Sequence, residues 1–339
     1  ADFYGFALSA EQKSALANGL CNITPAADAV RLFVWIAGTS AIGLVLHSDF
    51  VNSDTLTKKI HDISIEYQAD VPVPALYHLL LASKIIQSGR GNAWDSLHHA
   101  QACRTLFKII PHRRMDALAR IYYWASTWLL TADDGPIAEL AHPQLPDKEL
   151  ALTADVRNIV LIWHYMNLGN LVQARQIAEA YGAFIRETRV RRSRGHWLLA
   201  EVLRRQGEFE HAGHEIALAQ SMAFPIDQPG ICATLAALRL AEGNIVDAVS
   251  AAETGMRLYE TMGACSFSRA GFLRVVHAEC LHAAGRLVDA KHAIHNAKQW
   301  LMDMDEGIGD ENYRKSFLEN VPENRRILEL AAEWENVTA

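Results

Sequence analysis

The sequence contains few of the residues that interrupt regular secondary structure, with 10 prolines and 20 glycines among its 339 residues. This scarcity argues against an all-β or loop-rich protein. No stretch shows a sustained alternation of polar and apolar residues, so we expect no β-sheet. Half of the residues are hydrophobic and 21% are charged, which allows a buried core and excludes a disordered chain.

Cysteine is also sparse. The five cysteines lie far apart and include no Cys-x-x-Cys pair. An odd number of scattered cysteines indicates reduced thiols in a cytoplasmic protein and not a disulfide framework. The chain begins Ala-Asp without a Met, which we interpret as the result of processing or of excision from a longer protein.

The sequence lacks both an excess of positive charge and a long hydrophobic run. Its formal net charge is −7, so it has no general attraction for nucleic acid or anionic lipid, and we expect neither as a partner. The most apolar stretch, residues 32–46, is shorter than the ~20 residues that a membrane span needs. We interpret it as a buried helix.

A phrase that is repeated four times organises the second half of the chain. Each copy has a Gly, a polar residue, an apolar residue, two further residues and an Ala, and the four glycines are spaced by 38, 36 and 42 residues. Such periods are typical of solenoids of helix pairs. Glycine can end a helix in the left-handed conformation, and the small Ala lets the second helix approach the first. The four copies begin at Gly169, Gly207, Gly243 and Gly285.

These segments resemble the tetratricopeptide repeat, a helix pair with a pattern of small and aromatic positions. The matching residues of the second copy are His196, Leu199, Ala200, Leu203, Ala212, Ile216 and Phe224. Only the Leu and Ala positions follow the family pattern, and the spacings exceed its usual period of about 34 residues. The resemblance implies a right-handed, all-α solenoid in which the first helix of each pair lines a concave groove.

The pattern divides the chain into three regions. Residues 1–151 form an N-terminal helical region with degenerate repeats, residues 152–303 form four tetratricopeptide-like pairs, and residues 304–339 form a C-terminal cap. Helical periodicity in the first region predicts helices over residues 10–20, 25–47, 53–68, 74–88, 93–110 and 116–130. Ser53 or Asp54 is the expected N-cap of the third of these helices.

The C-terminal phrase, residues 313–331, predicts two capping helices. Phe317, Leu318 and Val321 dock the first, Pro322 starts the second, and residues 327, 328 and 331 face the core. The phrase is similar to the ending of repeat regions in large bacterial signalling proteins, where a tetratricopeptide sensor region is attached to a regulatory ATPase, kinase or cyclase. This resemblance implies that the chain is the sensor or partner-binding part of a bacterial regulator. The phosphate-loop, kinase and nucleophile-elbow motifs are absent, so we expect no enzyme.

Counting back from the turn glycines predicts which side chains line the groove. Arginine supplies a bidentate fork and tryptophan a flat apolar face, a combination that suits a protein or peptide, an acidic one in particular, or a small anionic ligand. The alternative is that the tryptophans fill gaps between repeats and that the arginines are solvated. The predicted binding residues are Trp163, Arg194, Trp197, Glu201, Arg204, Arg205, Glu279 and His282, with Gly230, Ala233, Ala237 and Leu240 as an apolar floor.

Residues 186–205 carry seven Arg and two Glu, a local charge of +5 in an acidic chain. This segment predicts either a patch for a phosphate or an acidic partner, or a solvated helix end whose cations suit the helix dipole. Five side chains of metal-ligating types lie on two successive predicted helices of the fourth repeat. Closeness along a helix is weak evidence for a zinc site, so we expect neither metal nor cofactor. The five side chains are His277, Cys280, His282, His292 and His295.

The sequence therefore predicts a non-enzymatic scaffold or sensor region that binds a protein segment or ligand in its concave groove and regulates a linked effector. One alternative is a small-molecule-sensing domain of a transcription regulator or signalling ATPase. Another is an enzyme whose site lies in the N-terminal 150 residues and follows no known motif.

Overall fold

The structure, a computed structural model, describes residues 9–141, 151–188 and 192–336. Within these ranges the regular secondary structure is helical throughout and includes no strand. The predicted fold class is confirmed: the chain is an all-α solenoid of helix pairs.

The N-terminal region contains every helix that the periodicity predicts, together with a short seventh helix. The bounds are α1 Ala10–Cys21, α2 Val30–Leu46, α3 Phe50–Glu66, α4 Pro72–Ser88, α5 Ala93–Ile109, α6 Arg113–Thr131 and α7 Gly135–Ala141. The predicted N-cap of α3 is wrong. Asp49 caps this helix by accepting a hydrogen bond from the Asn52 amide. Ser53 instead lies in the core and donates its hydroxyl to the Ala41 carbonyl at 2.9 Å.

Four helix pairs follow, and each pair turns at a glycine of the repeated phrase. The bounds are α8 Ala151–Asn167 and α9 Leu171–Thr188, α10 Arg192–Gln206 and α11 Phe209–Ser221, α12 Gln228–Ala241 and α13 Ile245–Met262, and α14 Ala270–Ala283 and α15 Leu287–Glu306. All four turn glycines have positive φ, between 72° and 82°, which favours glycine because it has no Cβ. Their role is confirmed.

The small positions predicted between the helices are also confirmed. Ala174, Ala212, Ala248 and Ala290 have no exposed surface. Because a methyl group is the whole side chain at these sites, the two helix axes of a pair can approach closely. Two short 3-10 helices, Pro225–Asp227 and Ser266–Ser268, precede α12 and α14.

The first helices of the pairs form the inner side of the solenoid. The helices α8, α10, α12 and α14 pack in succession against one another, whereas the second helices pack mainly on first helices. The inner surface curls until distant parts of the chain meet. The Trp163 and Phe272 rings lie 5.9 Å apart, and Asn92 donates to the Met304 carbonyl at 2.8 Å.

Two helices, α16 Glu311–Glu319 and α17 Pro322–Asn336, cap the C-terminal end. As the sequence predicted, Pro322 begins α17, and Phe317, Ile327 and Ala331 are buried. Trp334 is buried as well. No helix of the described residues is both long and apolar enough to cross a membrane.

Candidate functional site

A buried carboxylate organises two arginines at the C-terminal end of α10. Glu201 has no exposed surface. Arg204 donates to its two oxygens at 2.9 and 2.7 Å, and Arg205 donates to one of them at 2.9 Å. Because the three residues are spaced by one helical turn, the local helix geometry alone brings them together.

The charge state of Glu201 follows from these contacts. Burial raises the pKa of this carboxyl, but the attraction and hydrogen bonds of Arg204 and Arg205 outweigh burial and lower the pKa to about 2. Glu201 is therefore ionised at neutral pH, and its negative charge fixes the orientation of both guanidinium groups.

An aromatic side chain joins the arginines to the other end of the repeat array. Trp163, on α8, lies between two cations: the Arg269 guanidinium is 3.6 Å from its ring centre and that of Arg205 is 5.6 Å away. Phe272 packs beside the same ring. Arg269 is itself buried and donates to Glu323 of α17 at 2.7 Å. Cation–π contacts of this kind strengthen when they are shielded from water.

The cap helix α17 packs against α14 and adds further residues to this set. Its Arg326 donates to Glu279 at 3.0 Å, and its Trp334 stacks on His282 with ring centres 4.7 Å apart. We refer to the set of residues Trp163, Glu201, Arg204, Arg205, Arg269, Glu279, His282, Glu323 and Arg326 as the inner cluster.

The structure thus brings together six of the eight predicted binding residues, from three different helix pairs. Sequence reasoning missed Arg269, Glu323 and Arg326. Arg269 precedes α14, so no helical spacing relates it to the turn glycine. The two cap residues come from a helix that had no repeat register to relate it to the groove.

Arg204 and Arg205 of the inner cluster are accessible to a partner. Their side chains remain 18% and 24% exposed. Within the described residues, Nη1 of Arg204 and Nη2 of Arg205 make no hydrogen bond. Glu201 therefore holds one edge of each guanidinium group, and N–H donors on the other edge remain available to a partner.

Arg194 does not lie on the groove surface, which corrects the sequence prediction. Its side chain is fully buried. The single N–H of Nε is shared between the two Asp227 oxygens, both at 3.0 Å, and Nη2 donates to the same carboxylate at 2.8 Å. Arg194 also donates to Asp155 at 2.9 Å and to Gln87 at 2.9 Å. The Asp155 carboxylate also accepts a hydrogen bond from the Tyr181 hydroxyl. Arg194 is a structural cation that joins α4, α8 and α10 to the segment before α12.

Trp197 is also a packing residue and not an exposed anchor. It is buried, and its indole N–H donates to the Thr234 hydroxyl at 2.9 Å. Gly230 makes room for it, because a Cβ there would lie 2.5 Å from the ring. The predicted floor residue Gly230 is thus covered by Trp197. Trp163 is buried too, so the alternative interpretation of tryptophan as inter-repeat filling describes both residues.

The histidine-rich part of α14 and α15 does not converge on a common point. Among the described residues, no three His, Cys, Asp or Glu side chains are placed to hold a metal ion. Burial lowers the pKa of His277 and raises that of the Cys280 thiol to about 12. Both groups are therefore neutral packing residues near pH 7.

Taken with the fold, this geometry defines the chain as a tetratricopeptide-like α-solenoid with a cationic and aromatic inner face. No protein-family description matches the chain, and no curated protein matches it. Its fold is similar to that of a solved structure, the crystal structure of Rap protein complexed with competence and sporulation factor. The TM-score is 0.56 at 11% sequence identity, and the match covers 96% of this chain and 93% of the other.

Proposed function

We propose that this chain is a non-enzymatic regulatory module that binds an acidic segment of a partner protein at the inner cluster. The observation that carries the proposal is the presentation of Arg204 and Arg205 by the buried, ionised Glu201. In a bacterial regulator, such binding would control a linked effector domain.

The chemistry of the pair favours a carboxylate-bearing partner. An arginine whose inner edge is already bonded loses little side-chain entropy when its outer N–H groups bind a second acceptor. Partial burial keeps water and salt from screening the interaction.

The likeness in fold to a protein that was crystallised with competence and sporulation factor supports a regulatory binding role. A solenoid suits this use, since its inner side brings residues from several repeats to one surface without requiring a catalytic pocket.

Binding of fluorescein-labelled nonapeptides tests the proposal. One pool carries Asp or Glu at alternate positions, and the control pool carries Asn or Gln there. We expect the acidic pool alone to bind, and Arg204→Gln to weaken binding about tenfold or more, the effect of losing one charge-assisted hydrogen bond. Arg204→Gln leaves Arg205 to neutralise Glu201, so the fold should survive.

Arg239→Gln is the matched control. Arg239 also pairs with a glutamate three residues away, at 2.6 Å, but lies on the outer side of the repeats. The variant should bind the acidic pool as wild type does. Equal binding of both pools, or equal weakening by the two substitutions, would contradict a site at the inner cluster.

A small-molecule sensor is a second candidate, favoured by a pocket of 640 Å³ between α8 and α9. Its volume lies in the range of ligand sites, and its lining mixes Asn158, Tyr165 and Gln176 with apolar residues. A thermal-shift screen with carboxylated and phosphorylated metabolites tests this candidate. It requires a rise in Tm that Asn158→Leu abolishes and Arg204→Gln does not.

A further inference from the structure

Three pockets on the outer side of the solenoid occupy equivalent places in successive repeats. Their volumes are 640, 240 and 420 Å³ in the first, second and third pairs. Each pocket lies in a surface groove, here called a valley, whose floor is the first helix of a pair. Residues eleven and eight positions before the turn glycine line every one of them: Asn158 and Leu161, His196 and Leu199, and Cys232 and Leu235.

The fourth valley is filled by the chain itself. The residue eleven positions before Gly285 is Arg274. Its guanidinium lies 5.1 Å from the ring centre of Tyr259 on α13 and 5.2 Å from that of Trp300 on α15. In the fourth repeat, the long basic side chain of Arg274 therefore occupies the valley. In the other three repeats the equivalent residue is too short to do so.

The second valley differs from the other open valleys in its charge. Glu179 of α9 and Glu215 of α11 both line it. The third valley contains its own cation, Arg239, beside Asp247, and the first contains Arg157. Among the residues that the structure describes, an excess of carboxylate beside an open pocket is thus particular to the second repeat.

Each carboxylate in the second valley has a spare oxygen. Glu215 contacts His196 through Oε2, 2.6 Å from the ring Nδ1, and Glu179 accepts from Arg175 through Oε1 at 2.8 Å. In the described part of the chain, Oε1 of Glu215 and Oε2 of Glu179 accept no hydrogen bond. The glycines Gly182 and Gly195 keep the floor of the valley low.

We infer that this valley, lined by Glu179, Gly182, Gly195, His196, Leu199 and Glu215, receives a single arginine side chain from a partner protein. The alkyl part would lie along Leu199. The guanidinium would donate to the spare oxygens of the two glutamates. The site lies on the opposite side of the repeats from the inner cluster and does not depend on it.

Methyl NMR of the full chain tests the inference with N-acetyl-arginine amide as the probe. The methyl groups of Ile185 and Leu199 line the valley and report on occupancy directly. We expect saturable shifts at these two residues with the arginine probe and none with N-acetyl-norleucine amide. Shifts of equal size at methyl groups across the whole surface would overturn the inference.

His196→Arg is the decisive variant, because it places in the second valley the side chain that fills the fourth. The variant should keep its melting temperature and reduce the probe-induced shifts to less than a tenth of those of wild type. His211→Arg adds the same charge at an exposed site on α11 and should leave the shifts unchanged. If His196→Arg binds the probe as wild type does, the inference is wrong.

Glu215→Gln provides a second variant that does not rely on filling the valley. The amide keeps the volume of the side chain and removes the charge, so the shifts at Ile185 and Leu199 should fall at least fivefold while the helical circular dichroism stays unchanged. Retention of full binding by a folded Glu215→Gln variant would also overturn the inference.

Discussion

Replacement of Arg194 by methionine should be among the most destabilising single substitutions in this chain. The Arg194 guanidinium carries the positive charge that neutralises two buried carboxylates, Asp155 and Asp227, whose side chains are 3% and 0% exposed. Methionine retains most of the side-chain volume. The loss therefore arises from charge and hydrogen bonds and not from a cavity.

The magnitude follows from what remains after the substitution. Removal of one partner from a buried ion pair leaves an uncompensated charge and costs about 3–5 kcal/mol. Here the Asp227 carboxylate loses the hydrogen bonds of two N–H groups and the Asp155 carboxylate loses that of one. Total stabilities of domains are about 5–15 kcal/mol, so the variant should lose a large part of its stability.

Urea unfolding followed by circular dichroism at 222 nm measures the effect. The triple variant Arg194→Met, Asp155→Asn, Asp227→Asn removes the orphaned charges, so it should be more stable than Arg194→Met alone by at least about 1 kcal/mol. Arg175→Met is the control, since its pairs with Glu179 and Glu208 lie at the surface and should be worth less than about 1 kcal/mol. An Arg194→Met variant no less stable than Arg175→Met would refute the reasoning.

Three further predictions concern the packing, the thiols and the inner cluster. Ala212→Leu should overpack the second helix pair and lower stability by about 1–3 kcal/mol, and an unchanged melting temperature would show that the repeat register is wrong. Ellman's reagent should modify at most one thiol rapidly in the folded protein, that of the half-buried Cys21, because burial raises the pKa of the other four; two or more fast thiols would contradict this. These four are Cys103, Cys232, Cys265 and Cys280. Because the pKa of Glu201 is lowered from 4.5 to about 2, its ionised form contributes stability above about pH 4.5 that is lost as the pH falls toward 2. The difference in unfolding free energy between wild type and Glu201→Gln should therefore shrink over that range, and a difference that stays constant would show that the two arginines do not hold this carboxyl ionised.

The sequence alone was sufficient for features that depend on local geometry. The turn glycines and the buried alanines recur at regular positions because each helix pair requires a reversal of the chain and a close approach of its two helices. The pairing of Glu201 with Arg204 and Arg205 is local too, since residues one turn apart meet on any helix. Likewise, the pattern of the C-terminal phrase was enough to predict that Ile327 and Ala331 of α17 are buried, but it did not identify Leu330 or Trp334.

Only the tertiary structure decided which arginines are exposed. Arg194 and Arg204 lie on the same helix, and the spacing from the turn glycine predicts that both line the groove. Two partners that bury Arg194 are distant in the sequence: Asp227 is 33 residues away and Gln87 is 107 residues away. No helical period relates positions with such sequence separations. The same holds for Trp163, which is covered by Arg269 only because the inner surface curls far enough for α8 to meet the start of α14. Helical spacing specifies the direction in which a side chain leaves its own helix, whereas packing of the remaining chain specifies what it meets there.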